Sequence, residues 1–272
     1  MPREFRSFRV EAVVLKHYDM GEADRMLTVY SRQRGKLRAL AKGVRKVRSR
    51  KAGHVEPFTH VSLQLATGRH WYLVSQAEAI DTYPRLRQEL EQVGNASYVV
   101  EMLDRFTYEE EESNSLIFQL LTDTLKRLDG GQDTFVAIRY YEMQLLDLLG
   151  FRPELHNCVV SKQEIKAEDQ YFSSALGGVV SPEAGKGLAG AIPVSIEALR
   201  YMRHFQRSTY NDALRAKVPA EVQHEMEVIM QHYITYLLER GMNSPAFLRR
   251  VRQEKGKYAN GSRGEEKPGD QT

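Results

Sequence analysis

The sequence has a single cysteine, Cys158, among its 272 residues. One cysteine cannot form a disulfide within the chain, and this is typical of proteins in a reducing compartment. The sequence also has no apolar run near the roughly 18 residues of a membrane span. Its first ten residues, MPREFRSFRV, lack the apolar region of a secretory signal. We therefore expect a cytoplasmic protein without membrane contact.

Motifs of catalysis are also missing. Gly185-Lys186-Gly187 lacks both the spacing and the Ser or Thr of a phosphate-binding P-loop. His224-Glu225 begins like the zinc motif H-E-x-x-H, but Val228 stands where the second histidine is needed. The acidic run 109–112 consists of consecutive residues, which do not converge on one site, and we expect a solvated loop there. The sequence predicts a protein that is not an enzyme and has no cofactor.

Positive charge, in contrast, is concentrated in one segment. Residues 32–51 contain ten Lys or Arg residues and no Asp or Glu, whereas the whole chain has a formal net charge of only +3. Such a block indicates a nucleic-acid surface, a contact with an anionic membrane or a solvated face. We take all ten cations as candidate nucleic-acid contacts: Arg32, Arg34, Lys36, Arg38, Lys42, Arg45, Lys46, Arg48, Arg50 and Lys51.

The first part of the basic segment alternates apolar and charged residues, which predicts a β-strand with one buried and one open face. The inward set is Leu37, Ala39 and Ala41, and the outward set is Lys36, Arg38 and Lys42. Residues 43–53 have few apolar members and are predicted to form a mobile basic loop. We expect the outward cations to line a fixed groove and residues 45–51 to form a mobile arm.

The fold predicted for residues 1–82 is a five-stranded OB-fold barrel that binds nucleic acid. β-branched and alternating patterns predict its strands at 10–18, 25–30, 36–43, 60–67 and 71–79. Trp71 follows Arg69 and His70 at the turn before the last strand. It could stack on bases or belong to the core, and the pattern leaves both open, as it does for Tyr18 and Tyr30.

After residue 82 the apolar period changes from two to 3.6, which predicts a helical domain over residues 83–254. The chain is therefore expected to be an α+β protein. An irregular insert with one or two short strands is expected at 152–193, and a disordered polar tail at 255–272. The predicted helices lie near 93–106, 116–128, 134–149, 195–205 and 220–240.

An ordered set of short runs resembles the bacterial RecO family of recombination mediators. The runs are GEADR at 21–25, GKLRALAKGVR at 35–45, EPFTHV at 56–61, LLDLLGFRP at 145–153, and Tyr171-Phe172 before Ala175-Leu176-Gly177-Gly178. The resemblance implies a nucleoid-associated protein that binds single- and double-stranded DNA without enzymatic activity. It also implies annealing of strands coated with single-strand binding protein (SSB), and loading of RecA together with RecR.

The insert departs from that family pattern. Many members carry two C-x-x-C pairs there, a spacing typical of structural zinc. In this sequence the four positions hold Cys158, Ser161, Ser181 and Ala184, and His156 is too close to Cys158 to complete a tetrahedral site. We predict a degenerate zinc-finger-like insert without metal. Packing is expected to hold it through Tyr171, Phe172, Leu176, Val179 and Val180.

The acidic, apolar tail of SSB should dock where a cation stands beside an apolar groove between helices. Arg139 is the candidate, with Lys126 and Arg127 on the preceding helix, although Arg139 could equally pair with a carboxylate inside the helical domain. Two other protein classes stay open. An RNA-binding OB-fold protein would prefer RNA, and a nuclease would need a cluster of acidic metal ligands, which the sequence does not offer.

Overall fold

A computed structural model describes residues 7–109, 112–239 and 241–261 of the chain. The N-terminal part is a closed five-stranded barrel with strand order β1-β2-β3-β5-β4. All neighbouring strands are antiparallel except β3 and β5, which run parallel. The predicted OB-fold barrel is thereby confirmed. Its strands are β1 (Ser7–Met20), β2 (Asp24–Ser31), β3 (Gly35–Ala41), β4 (His60–Thr67) and β5 (Tyr72–Asp81).

Period-two alternation builds the interior of the barrel. Val61, Leu63 and Leu65 of β4 are fully buried, whereas the residues between them are half-buried. Glycines bound β3, with Gly35 at φ 59° and Gly43 at φ 65°, a left-handed backbone conformation that other residues adopt at a cost. The inward set of β3 is buried as its alternation predicts: Leu37, Ala39 and Ala41.

The helical domain packs against the outer side of the barrel. Val13, Leu15 and Tyr30 of the barrel belong to the same buried cluster as Val99 and Leu103 of the first helix. Tyr30 is therefore a core residue, whereas Tyr18 is exposed. The longer helices are α1 (Leu90–Phe106), α2 (Ser115–Asp129), α3 (Thr134–Leu148), α5 (Ile196–Arg207), α7 (Ala220–Leu237) and α8 (Ser244–Gly261), and the short ones are α4 (Pro182–Gly185) and α6 (Tyr210–Arg215).

Polar side chains begin several of these helices. Asn114 accepts hydrogen bonds from the first turn of α2, Asp133 caps α3, and Ser195 caps α5. Each side chain satisfies a backbone N–H that has no partner inside its helix, which contributes about 1 kcal/mol. The predicted helices agree closely with α1, α2, α3, α5 and α7. Within the described ranges, no helix has the length and apolar character needed to cross a membrane.

The insert contains a small antiparallel sheet of order β7-β6-β8, so the expectation of one or two strands was too low. The third strand contains Pro193, which weakens a strand pattern, but as an edge strand it tolerates the missing donor. Leu176 is 48% exposed in the turn after β6 and does not pack as predicted, whereas Phe172, Val179 and Val180 are buried. The strands are β6 (Gln170–Ser173), β7 (Gly178–Val180) and β8 (Ala191–Val194).

The C-terminal helix α8 (Ser244–Gly261) is not among the helices predicted from the sequence. Residues 255–261, predicted to belong to a disordered tail, are helical, and residues 262–272 lie outside the described part. Lys255 Nζ lies 2.8 Å from Glu91 Oε2 of α1. Gly94 of α1 allows close approach, because a Cβ there would stand 2.5 Å from Leu248 of α8. Contacts with α1 thus order a helix whose own composition is polar.

Candidate nucleic-acid interface

The basic segment divides into two halves. The strand half, residues 32–41, contains the β2–β3 turn and β3, and the turn half, residues 42–51, follows it as consecutive turns. In the strand half Arg38 Nε lies 2.6 Å from Glu109 Oε1. Arg32 Nη1 lies 3.4 Å from a carboxylate oxygen of Glu11. The Arg34 guanidinium stands 3.9 Å above the ring of Phe8.

Lys36 is the most enclosed cation of the strand half. Its side chain is only 12% exposed, and Nζ lies 2.8 Å from Asp104 Oδ1 of α1. The same ammonium donates to the carbonyl oxygen of Thr107 at 3.0 Å. Residues 104–109 of the helical domain therefore cover the outer face of β3 at this point. Lys36 lies on the outward parity, as its spacing predicts, but that face is closed rather than part of an open groove.

Asp104 is the anion at the seam between barrel and helical domain. Its burial by itself raises the pKa of the carboxyl group, but hydrogen bonds from Lys16 and Lys36 outweigh burial and hold the pKa below its ordinary value of 3.8. The carboxylate is thus ionised in the fold and balances Lys36. This part of the positive charge stabilises the structure.

The turn half is attached to the barrel at both ends. Arg45 donates through its backbone N–H to the Ala23 carbonyl at 2.9 Å, and its Nε lies 3.3 Å from Asp19. Lys51 Nζ donates to the Val74 carbonyl at 3.1 Å. Burial lowers the pKa of Lys51, with Asp24 opposing this shift. The mobility of this segment stays a prediction.

Between these attachments the turn half presents free cations. Within residues 7–109, 112–239 and 241–261, four of its side chains are exposed and have neither a hydrogen bond nor an ion pair. A ligand with negative charge could contact them without breaking an internal interaction. The four are Lys42, Lys46, Arg48 and Arg50.

Arg9 lies beside this surface, although sequence reasoning missed it. With Arg50 and His54 it lines a cavity of about 320 Å³ on the outside of the barrel. Arg9 follows Arg3 and Arg6 but lies 23 residues before the basic segment, so the charge count over residues 32–51 does not include it. The alternation along β1 could have indicated it, because Arg9 falls on the outward-facing side of that strand, where it pairs with Gln64 of β4.

Trp71 lies just before β5, in the turn that follows β4. The indole is 38% exposed and is therefore not a core residue. It lines a cavity of about 190 Å³ together with Arg38, Arg69, His70 and Glu109. An exposed ring beside cations can stack on a base, so this geometry favours the stacking alternative for Trp71.

The partner candidates do not form one site. Arg139 is 5% exposed, and its Nη2 lies 2.7 Å from Glu142 Oε1, so the pairing inside the helical domain is present. Burial raises the pKa of Glu142 to about 7, although Arg139 and a hydrogen bond from Tyr98 oppose this rise. Arg127 stacks on Tyr210 at 3.7 Å.

Arg139 nevertheless reaches a cavity of about 310 Å³ between α1, α3, α7 and α8. Phe135 and Leu248 supply apolar walls, and Arg249 lies at the α8 side. Neither Lys126 nor Arg127 lines this cavity. A cation beside an apolar wall is present here, as a peptide tail would require, but the other arginines of the cavity, Arg249 and Arg252, come from α8.

Cys158 is buried, and it is the one cysteine among the four positions where many family members carry zinc-binding cysteines. The backbone N–H groups of Ser161 and Ser181 donate to its Sγ at 3.4 and 3.3 Å. Burial raises the pKa of the thiol, but a side-chain hydrogen bond from Ser161, together with the backbone hydrogen bonds, outweighs burial and lowers the pKa to about 6. Among the described residues there is no group of three or more His, Cys, Asp or Glu side chains that could hold a metal ion.

Comparisons with known proteins give the family. The family model described as "Recombination protein O N terminal" matches residues 5–83, and "Recombination protein O C terminal" matches residues 87–246. A protein of Roseiflexus sp. (strain RS-1), named "DNA repair protein RecO", is 37% identical over 248 residues, which cover 91% of this chain and 87% of the relative.

Further relatives carry the same name. The protein of Pelotomaculum thermopropionicum is 37% identical over 246 residues, covering 90% of this chain and 95% of the relative. That of Symbiobacterium thermophilum is 29% identical over 247 residues, covering 90% and 98%. The similarity thus extends through both the barrel and the helical domain. This chain belongs to the RecO family, whose members named above are DNA repair proteins.

Proposed function

We propose that this chain is a DNA-binding recombination mediator of DNA repair without enzymatic activity. It binds single- and double-stranded DNA, anneals complementary strands and, with RecR, helps to load RecA onto DNA coated with SSB. It acts in the cytoplasm at the nucleoid. The observation that carries this proposal is the set of four exposed cations of the turn half that have no partner among the described residues. The parts of RecR and RecA rest on family membership.

The chemistry of annealing suits such a surface. Lys and Arg contacts to phosphates give affinity without reading the sequence of the strand, so complementary bases stay free to pair. Trp71 adds an exposed ring on which a base can stack. The turn half is attached at Arg45 and Lys51, which limits the conformational entropy lost when a strand binds.

An annealing assay tests the function. Two complementary fluorescent strands are mixed with the wild-type protein, with and without the SSB of the same organism and without nucleotide. We expect faster annealing in both cases. In a direct competition DNA should displace RNA of the same sequence, and labelled DNA incubated with magnesium should stay intact. A preference for RNA would favour the RNA-binding OB-fold alternative, and cleavage would make the protein a nuclease.

A charge-reversal variant locates the DNA surface. Lys46→Glu, Arg48→Glu and Arg50→Glu together should weaken single-strand binding by about 100-fold or more near physiological salt, because three phosphate contacts become repulsions. The matched control reverses Arg85, Lys186 and Arg250, which are also exposed, so that the net charge is the same. Equal DNA affinities of the two triple variants would place the contacts elsewhere.

We also propose that the SSB tail docks in the cavity at Arg139. Such a tail combines carboxylates with apolar side chains, and the cavity offers Phe135 and Leu248 beside arginines. Replacing Arg139 would disturb its pair with Glu142, so Arg249→Glu is the better probe. Its neighbour Arg250 is exposed and does not line the cavity, which makes Arg250→Glu the control. We expect only Arg249→Glu to weaken binding of a tail peptide, and equal affinities would reject this site.

A further inference from the structure

A second basic cleft lies in the helical domain, between α5 and α6. It has a volume of about 670 Å³, and none of its lining residues comes from the barrel. Arg200, Arg203 and Arg207 of α5 line it together with Arg215 at the end of α6. The three α5 arginines are spaced i, i+3 and i+7, so they share one helix face and extend over about 10 Å of its length.

The cleft contains more arginines than carboxylates to pair with them. Arg215 lies 3.4 Å from Asp212, and Arg203 donates from Nε to the carbonyl oxygen of Leu155 at 2.8 Å. Arg200 and Arg207 are exposed and have no ion pair within the parts of the chain that the structure describes. Glu197 is the second carboxylate of the cleft, so four arginines face two acids.

The positive charge of these arginines shifts the pKa values of neighbouring groups. Burial lowers the pKa of Arg203, and the charge of Arg207 lowers it further. Burial also lowers the pKa of His156 nearby, and Arg203 and Arg207 are the next causes. Glu164 and Glu154 oppose the shift of Arg203, but positive charge still exceeds negative charge in the cleft, and such an excess is relieved when an external anion binds.

We propose that this cleft binds the phosphate backbone of a second nucleic-acid strand, separate from the strand held at the barrel. The guanidinium fork matches the oxygens of a phosphate. The rings of Tyr201 and His204 lie between the arginines along α5, whereas aliphatic walls of the kind that anchor a peptide are nearly absent. This inference rests on the proposed function, since annealing brings two strands to one protein and strands on separate surfaces repel each other less.

The test measures how many oligonucleotides bind to each protein chain. Arg200→Glu with Arg207→Glu changes two exposed residues and leaves Arg203, which holds the Leu155 carbonyl, in place. Lys186→Glu with Arg250→Glu is the control of equal net charge. A short fluorescent oligonucleotide, too short to reach both surfaces, is titrated against each full-length protein at low salt, and thermal unfolding verifies the fold. We expect two oligonucleotides per chain for wild type and control, and one for the cleft variant.

Annealing gives the second readout. The cleft variant should anneal about tenfold more slowly than wild type and control, because only one of the two strands is then held by the protein. Two strands bound by the cleft variant, with normal annealing, would overturn the proposal, as would binding of an acidic peptide but no oligonucleotide at the cleft. A wild-type protein that binds no DNA would instead contradict the proposed function.

Discussion

The two halves of the basic segment differ in what their charges contact. In the strand half Lys36, Arg38 and Arg32 pair with carboxylates, and the Lys36 ammonium is enclosed at the seam with α1. In the turn half most side chains extend from a backbone attached at Arg45 and Lys51 and have no partner among the described residues. Adjacent cations of one sequence run can therefore stabilise a fold or remain free for a ligand.

The largest effect is expected from removing the anion that Lys36 contacts. Asp104→Ala leaves the Lys36 ammonium enclosed without its carboxylate, and loss of one partner from a buried pair costs about 3 to 5 kcal/mol. We expect a loss of that size in the free energy of unfolding, measured in urea, while the folded variant keeps its DNA affinity. The control, Asp123→Ala, removes a half-exposed carboxylate 4.0 Å from Arg127 and should cost under about 1 kcal/mol.

Acid should act through the same contact. The folded pKa of Asp104 lies below its ordinary value of 3.8, so its contribution to stability is present above that pH and is lost as the pH falls through the folded pKa. The free energy of unfolding of wild type should therefore fall below pH 3.8 more steeply than that of Asp104→Asn. Parallel pH profiles for the two proteins would show that the carboxyl group is not held ionised by Lys16 and Lys36.

A smaller effect is expected where the strand half meets the candidate stacking ring. Trp71→Ala should weaken single-strand binding by about 1 kcal/mol, roughly fivefold, since base stacking contributes about 1 to 3 kcal/mol and the indole is partly covered. The free energy of unfolding should change little, because the ring is half-exposed. Tyr236→Ala, which removes an aromatic ring of α7 that is 51% exposed, is the control. Unchanged DNA binding by the Trp71 variant would remove the ring from the interface.

The smallest effect is expected when a paired cation of the strand half is freed. Glu109→Gln removes the carboxylate 2.6 Å from Arg38, and an exposed pair of this kind is worth about 0.5 kcal/mol. DNA affinity should rise about twofold, as Arg38 becomes available to a phosphate. Glu112→Gln removes an exposed charge from the same acidic run and controls for a general field effect. An equal rise in both variants would indicate that the Arg38 contact has no special part.

The barrel could be predicted because its signals are local. Alternation along β3 and β4 and the glycines at the ends of β3 specify strands and their inward faces. The burial of Lys36 could not be predicted, since it depends on Asp104, 68 residues later in the chain, and on the way α1 crosses the barrel. Arg139 differs, because Glu142 is only three residues away, and the pairing with a carboxylate inside the helical domain was one of the two alternatives left open.

Long-range contacts also explain why the sequence did not predict the helix at 255–261 or the third strand of the insert. Residues 255–261 are polar and gave no helical signal, but Lys255 reaches Glu91 of α1. The strand with Pro193 becomes recognisable only when its partner β6 is known. Arg9 was missed because charge clustering along the chain does not detect a cation that joins a surface through strand pairing.

The salt dependence of single-strand binding tests the division of the basic segment most directly. One variant neutralises the turn half with Lys46→Gln, Arg48→Gln and Arg50→Gln, and the other neutralises the strand half with Arg32→Gln, Arg34→Gln and Arg38→Gln. We predict that the slope of log K against log salt falls by about 2 in the turn-half variant, because each phosphate contact contributes about 0.7, and by under about 1 in the strand-half variant. Equal losses of slope in the two variants would contradict the account.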